Sequence, residues 1–151
     1  MVSQLLYNVC LTLLALPALP FAGAALAIRP RYRLGLGQRL GFFPTATPAR
    51  FQQQRPFWVH APSVGEILAT RPFLRALKET FPEIPILLSA LTPTAYTAAR
   101  ENLTDADLVI YFPLDYPLFV RRVLRRIDPV AFFFTETEMW PNFLLALARR
   151  R

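Results

Sequence analysis

From residue 57 onward the sequence repeats one pattern four times: a short apolar run, a polar cluster and an amphipathic segment. The apolar runs occupy 57–59, 85–90, 108–112 and 130–134. Short runs with little polar alternation are typical of strands buried on both faces, and the segments between them have helical periodicity. The alternation therefore predicts an α/β fold in which a parallel sheet carries flanking helices. The helices are expected over 65–81, 93–102, 116–127 and from 141 onward.

Each polar cluster directly follows one of the predicted strands. The clusters are HAPSVGE, LTPT, PLD and TETEMWPN, which begin at residues 60, 91, 113 and 135. Parallel strands place their carboxyl ends along one edge of a sheet, and ligands of open α/β sheets bind beyond that edge. All four clusters should therefore meet there and form a ligand cleft.

Glu66 has two interpretations at this edge. Ser63 and Glu66 fit the S-x-x-E capping box, in which the serine caps a helix and the glutamate returns to the serine N–H. A carboxylate in the first turn of a helix at a sheet edge also suits catalysis. The spacing alone leaves both interpretations open.

A second acidic pair, Glu136 and Glu138, lies at the end of the fourth predicted strand. Residues two apart in extended backbone point to the same side, which suits binding of a cation or a sugar hydroxyl. Solvated acids near a helix N-terminus are the alternative. His60 is either a buried structural histidine or a hydrogen-bonding group of the site, and Trp140 either packs in the core or stacks on a ligand.

Thr92, Pro93 and Thr94 mark the start of a helix after the second strand. A threonine cap followed by proline at the first helical position is a common helix start. The same turn also suits contact with a phosphate or a hydroxyl. The four arginines at 121–126 predict a solvated helix face or a contact with acidic headgroups.

Residues 5–28 form an apolar run without a charged side chain. A helix of this length reaches roughly 36 Å, enough to cross a bilayer core of about 30 Å. We interpret 1–28 as a membrane anchor helix, although residues 22–25 resemble a signal-peptide cleavage site and a membrane-surface helix has similar composition. Six arginines and no acid follow within 29–56, a basic connector that favours anionic lipid headgroups over nucleic acid. The positive-inside rule then leaves a domain at 57–151 in the cytoplasm.

Several classes of site are disfavoured by the sequence. Cys10 is the only cysteine, which excludes a disulfide within the chain, and no Cys/His spacing predicts a metal site or a cofactor. His60 is the only histidine and has no G-x-S-x-G partner, so a serine-hydrolase triad is not expected.

The clusters HAPSVGE, LTPTA and TETEMWPN, in this order behind an uncharged N-terminal segment, closely resemble the N-terminal half of 3-deoxy-D-manno-octulosonic acid (Kdo) transferases. The resemblance implies a GT-B architecture, in which two Rossmann-like domains face each other across a cleft. It also implies an inverting glycosyltransferase of lipopolysaccharide biosynthesis at the bacterial inner membrane. The N-terminal domain would bind the lipid A precursor (lipid IVA), and the C-terminal domain would bind CMP-Kdo.

The resemblance also assigns roles to individual residues. Glu66 matches the general base that takes the proton of the acceptor hydroxyl, with no metal required. The other matching positions would hold this base or bind substrate: Ser63, Gly65, Thr92, Pro93, Thr94, Glu136 and Glu138. Which of the last two glutamates contacts substrate stays open.

The sequence stops within a predicted helix, and we expect the donor-binding domain to lie beyond it. This chain alone is then expected to be inactive as a transferase. Two alternatives remain: another membrane-anchored GT-B glycosyltransferase with a lipid acceptor, and a non-enzymatic, membrane-tethered binding module whose carboxylates only cap helices.

Overall fold

The computed structural model describes residues 2–43, 50–136 and 138–150. Its four strands form one parallel sheet in the order β3-β2-β1-β4. The predicted α/β fold is confirmed, and each strand lies within a residue or so of its predicted bounds. Predicted features at 44–49, at Thr137 and at Arg151 lie outside the described residues. The strands are β1 (Phe57–His60), β2 (Ile86–Ala90), β3 (Leu108–Tyr111) and β4 (Ala131–Phe134).

Helices flank the sheet and precede it. The single helix expected over 65–81 is wrong, because two helices meet at Thr70. Pro72, in the first turn of the second helix, has no N–H to continue the ladder of the first, so the helix is interrupted there. The helices are α1 (Val2–Ile28), α2 (Leu36–Arg39), α3 (Arg50–Gln53), α4 (Val64–Ala69), α5 (Arg71–Thr80), α6 (Pro93–Asn102), α7 (Pro117–Arg126) and α8 (Pro141–Ala148), with a short 3₁₀ helix at Pro30–Arg33.

The sheet separates two apolar cores, because successive strand residues point to opposite faces. On one face α4, α5 and α6 cover Val59 and Leu88 through buried side chains such as Leu74. On the other face α7 and α8 cover Trp58 and Leu87. Burial of all four residues of β1 explains why this strand contains no residue typical of a solvent-facing strand.

The strand order places a topological switch point between β1 and β4. The chain proceeds from β1 to β2 and β3 in one direction and then adds β4 on the other side of β1. After β1 it enters α4 on one face of the sheet, and after β4 it enters α8 on the opposite face. The two connections therefore diverge at the carboxyl edge, where open α/β sheets form their ligand crevice.

Segments before residue 57 also pack against the sheet. Gly35 has φ +69° and lies against the ring of Tyr111, while Phe51 is buried. A stripe of polar side chains on α1 contacts the connection between β3 and α7. Tyr7 donates to Asp115 at 3.0 Å, and the hydroxyl of Thr12 lies 3.3 Å from that of Tyr116. The predicted division at residues 28 and 56 stays a prediction.

Candidate functional site

Glu66 lies at the start of α4 and completes the capping box predicted from its spacing. Its Oε2 accepts the Ser63 backbone N–H at 3.3 Å, and the Glu66 N–H donates to the Ser63 Oγ at 3.4 Å. All hydrogen bonds of its carboxylate to described residues are made at Oε2. The second oxygen, Oε1, is therefore available to a ligand, so capping and a chemical role are compatible.

The two acidic clusters predicted from the sequence meet across the switch point. Thr135, directly after β4, donates from Oγ1 to Glu66 Oε2 at 3.5 Å. Partial burial, followed by the nearby negative charges of Glu66 and Glu136, raises the pKa of Glu138 above its usual range. Three carboxyl groups from two connections thus share one exposed site at the carboxyl ends of β1 and β4.

His60, the last residue of β1, forms the buried floor beneath these carboxyl groups. Only 1% of its surface is exposed, and its ring stacks on Phe112 with the ring centroids 4.1 Å apart. Its Nδ1 lies 3.1 Å from the carbonyl oxygen of Ser89, and its Nε2 lies 3.8 Å from Oε2 of Glu138. Burial lowers the pKa of His60 to about 4, so the ring is neutral at neutral pH.

Gly65 lies in the first turn of α4 and is exposed. Apart from its chain neighbours and the backbone of its own helix, no atom of the described residues lies within 4 Å of the position that a Cβ would occupy there. Open space therefore lies over the backbone at the residue before Glu66. A glycine in a helix costs roughly 0.5–1 kcal/mol relative to alanine, so its presence here is not explained by stability.

The β2 side of the same edge contains the predicted threonines. Thr92 accepts the Ala95 N–H at 3.1 Å as the cap of α6, and its hydroxyl lies 3.1 Å from that of Thr94. Pro93 occupies the first helical position, as predicted. No hydrogen bond or ion pair between described residues joins this turn to Glu66, although both lie at the same edge of the sheet.

Arg39 lies at the same edge of the sheet, although its position among the connector arginines indicated only a lipid contact. Its guanidinium donates to the carbonyl oxygen of Leu91 and lies over the ring of Tyr111, 4.7 Å from the centroid. A cation therefore stands beside the carboxyl ends of β2 and β3. No local signal in the sequence indicates this long-range placement.

Asp115 belongs to the predicted clusters but is occupied by backbone and side-chain donors of α8 and α1. Its carboxylate accepts the backbone N–H groups of Asn142 and Phe143 at 3.0 and 2.8 Å, which caps α8. Trp140, just before α8, packs against Phe112, and its buried Nε1 has no hydrogen-bond partner among the described residues. Asp115 and Trp140 therefore serve to fix the start of α8 against the sheet.

The site consists of hydrogen-bond acceptors beside open space. Glu66, Glu136 and Glu138 present carboxyl oxygens that can accept hydrogen bonds from hydroxyl or ammonium donors. Within the described residues, no group of three or more His, Cys, Asp or Glu side chains is arranged to hold a metal ion. The arrangement can bind a polyol and accept a proton from one of its hydroxyls.

Comparison with known proteins adds a second line of information. The profile of a family described as "3-Deoxy-D-manno-octulosonic-acid transferase (kdotransferase)" matches residues 35–151. The chain is 33% identical over 130 residues to 3-deoxy-D-manno-octulosonic acid transferase of Haemophilus influenzae, covering 86% of this chain and 30% of that protein. It is 40% identical over 100 residues to the enzyme of the same name from Bordetella pertussis, covering 62% and 22%.

A plant relative extends the comparison. The chain is 35% identical over 89 residues to the probable mitochondrial 3-deoxy-D-manno-octulosonic acid transferase of Arabidopsis thaliana, covering 59% of this chain and 20% of that protein. The chain thus spans less than a third of the length of these relatives. The matched region contains the sheet, the switch point and every residue of the acidic site. The chain belongs to the 3-deoxy-D-manno-octulosonic acid transferase family.

Proposed function

We propose that this chain is the acceptor-binding half of an inverting glycosyltransferase that transfers Kdo from CMP-Kdo to the lipid A precursor (lipid IVA) in lipopolysaccharide biosynthesis. The observation that carries the proposal is the Glu66 carboxylate, which lies at the switch point with one oxygen free and open space beside it. Family membership supplies the reaction class. In this proposal the donor site and a second GT-B domain lie outside this chain, which spans less than a third of the length of its relatives.

Glu66 is the general base in this proposal. Its Oε1 takes the proton of the acceptor hydroxyl while that oxygen attacks the anomeric carbon of the sugar from the face opposite CMP. The new carbon–oxygen bond forms as the bond between the anomeric carbon and the CMP phosphate oxygen breaks, and CMP leaves with the electron pair. The capping hydrogen bonds at Oε2 fix the direction of Oε1, which favours one approach of the hydroxyl.

The remaining candidates bind the acceptor. Ser63 orients Glu66, and Gly65 leaves room for the sugar ring beside it. One of the pair Glu136 and Glu138 accepts hydrogen bonds from acceptor hydroxyls. Thr92, Pro93 and Thr94 form the turn at the β2 end, where the Arg39 guanidinium attracts an acceptor phosphate.

Helix α1 holds the domain on the cytoplasmic side of the bacterial inner membrane in this account. The helix is long and apolar enough to cross a bilayer, and Leu6, Leu14 and Phe21 are among its exposed side chains. Length and composition alone are weak support for a crossing, because a signal sequence has both. The single crossing therefore stays a prediction.

Contacts of α1 argue for a helix that lies along the membrane surface. In its N-terminal half, Thr12 of α1 lies beside the hydroxyl of Tyr116. Near its C-terminal end, the carbonyl oxygen of Leu26 accepts a hydrogen bond from Arg33, and Arg33 is only two residues from Gly35, which packs on Tyr111. Positions 12 and 26 are about 21 Å apart along the helix, so a crossing would separate them across most of the hydrocarbon core. A helix lying in one leaflet keeps both sets of contacts with the same domain.

Cysteine labelling distinguishes these two topologies. In a Cys10→Ser background, Ser3→Cys reacts with a membrane-impermeant maleimide only in inside-out vesicles if α1 lies in the cytoplasmic leaflet. Reaction in right-side-out vesicles supports the crossing instead. Glu79→Cys, at an exposed position on α5, serves as the control for vesicle orientation.

The reaction itself is tested on the full-length protein that carries this chain. Lipid IVA is incubated with CMP-Kdo, and with UDP- and GDP-sugars as competing donors, and the products are identified by mass spectrometry. Transfer from CMP-Kdo alone is expected, whereas transfer from another donor identifies a different lipid glycosyltransferase. Residues 1–151 alone are expected to transfer nothing. Absence of any transfer by the full-length protein favours the non-enzymatic binding module.

A further inference from the structure

The hydrogen bonds of His60 fix which of its ring nitrogens carries the proton. Nδ1 faces the carbonyl oxygen of Ser89 at 3.1 Å, and a carbonyl oxygen can only accept. The Ser89 hydroxyl oxygen also lies 3.0 Å from Nδ1 and accepts the indole N–H of Trp58 at 2.8 Å. Its own O–H donates to the carbonyl oxygen of Val59 at 3.4 Å, so the hydroxyl can accept from Nδ1 as well. We therefore assign the proton to Nδ1 from this network, which makes Nε2 a lone-pair acceptor.

Nε2 is buried and has no hydrogen-bond partner among the described residues. Its direction is fixed, because Ser89 holds the opposite side of the ring and Phe112 stacks on its face. The nearest charged group along that direction is Glu138, with Oε2 at 3.8 Å. If the Glu138 carboxylate were ionised, the lone pair of Nε2 would face a lone pair of Oε2. No proton would lie between the two atoms, and Nε2 would stay without a hydrogen bond.

Resting on the glycosyl transfer proposed above, we infer that His60 is a positioning residue whose Nε2 accepts a hydrogen bond from the carboxylic acid of Glu138. Nε2 and Oε2 are 3.8 Å apart, so the partly exposed Glu138 side chain has to move its oxygen about 1 Å toward the ring to make this bond. Glu138 is then a neutral donor, and Glu66 keeps the role of base. The assignment separates the two glutamates of the second motif, since Glu136 remains the one open to substrate hydroxyls.

The surroundings favour the neutral form of Glu138. The charged groups that bear on its carboxyl from the packed elements are Glu66 at the start of α4 and Glu136 on its own connection, and both are acidic. Burial and these two charges raise the pKa of Glu138, while burial lowers that of His60. One shared proton therefore lies on the carboxyl oxygen and not on the imidazole.

Kinetics of the full-length protein give the first test. Glu138→Gln replaces the acid by a neutral amide that can still donate to Nε2, so kcat/KM is expected to stay within about tenfold of wild type. The decrease of kcat/KM at high pH, the alkaline limb of the pH profile, is expected to disappear, because the amide cannot lose a proton. His60→Asn keeps a donor for Ser89 but removes the Nε2 acceptor, so the alkaline limb moves to lower pH, with kcat affected more than KM. In the double variant the effect of His60→Asn on this limb disappears. His60→Gln, which can place an oxygen near the former Nε2, restores part of the shift.

Loss of activity in Glu138→Gln as severe as in Glu66→Gln would overturn the inference, as would an alkaline limb that His60→Asn leaves in place. Glu79→Gln, the same change on the exposed face of α5, is the control.

A measurement that does not depend on turnover separates this inference from the proposed reaction. Nitrogen-15 NMR of histidine-labelled full-length protein, with the His60 signals assigned through His60→Asn, reports which ring nitrogen carries the proton. A protonated Nδ1 and a hydrogen-bonded, unprotonated Nε2 at pH 7 support the pair even if no Kdo is transferred. A proton on Nε2 refutes the pair even if transfer is observed.

Discussion

Burial of neutral His60 predicts a specific loss of stability in mild acid. The unfolded chain binds a proton at His60 with the ordinary pKa of 6.5, whereas burial lowers the folded pKa to about 4. A group whose pKa is lower in the folded state contributes stability above its unfolded pKa and loses it as pH falls toward the folded pKa. The free energy of unfolding should therefore decrease by about 2 kcal/mol between pH 7 and pH 5 and by about 3 kcal/mol at pH 4 through this residue alone.

Urea denaturation followed by circular dichroism between pH 4 and pH 7.5 measures this contribution. Glu138 acts in the opposite direction, because its raised pKa favours the folded state as pH falls, so Glu138→Gln is used as the background. His60→Asn in that background cannot titrate, and its stability should lack the decrease between pH 6.5 and 4. If the two curves are parallel over this range, His60 is solvated in the folded protein and the buried floor of the site is wrong.

Three substitutions of single residues give further predictions. Gly65→Ala should stabilise the fold by roughly 0.5–1 kcal/mol, since nothing fills the Cβ position, yet raise KM for the lipid acceptor; unchanged kinetics would contradict the proposed room for the sugar. Gly35→Ala should cost at least about 1–2 kcal/mol in urea denaturation, because the residue has φ +69° and its Cβ would overlap the Tyr111 ring, whereas Gly37→Ala should cost far less. Thr92→Ala should lose about 1 kcal/mol with the α6 cap, and Thr92→Ser should retain most of it.

Much of the framework could be predicted because local sequence determines it. The apolar runs mark the strands, and their parallel arrangement gathers the polar clusters at one edge whatever the strand order. The capping box of Ser63 and Glu66 and the cap at Thr92 involve residues three apart and were found from spacing. The interruption between α4 and α5 at Thr70 could also have been predicted from the sequence, since the proline at position 72 cannot continue the hydrogen-bond ladder of a helix.

Long-range placement was outside the reach of these local patterns. The order that brings β4 beside β1, and with it Glu138 over His60, depends on tertiary packing. Arg39 is one of six arginines in the connector, and only the packing of its guanidinium on Tyr111 in the folded protein distinguishes it from the others. The polar stripe of α1, which includes Tyr7 and Thr12, has helical spacing, but within an uncharged run it did not indicate a docking surface.

Glu66 accepts the proton of the acceptor hydroxyl in the proposed reaction. Glu66→Gln removes this base and little else, because glutamine also completes a capping box and should leave the free energy of unfolding within about 0.5 kcal/mol of wild type. In the full-length protein, kcat for Kdo transfer to lipid IVA is expected to fall by about 100-fold or more, while Glu79→Gln retains wild-type turnover. Normal turnover by a folded Glu66→Gln variant would show that this carboxylate only caps its helix.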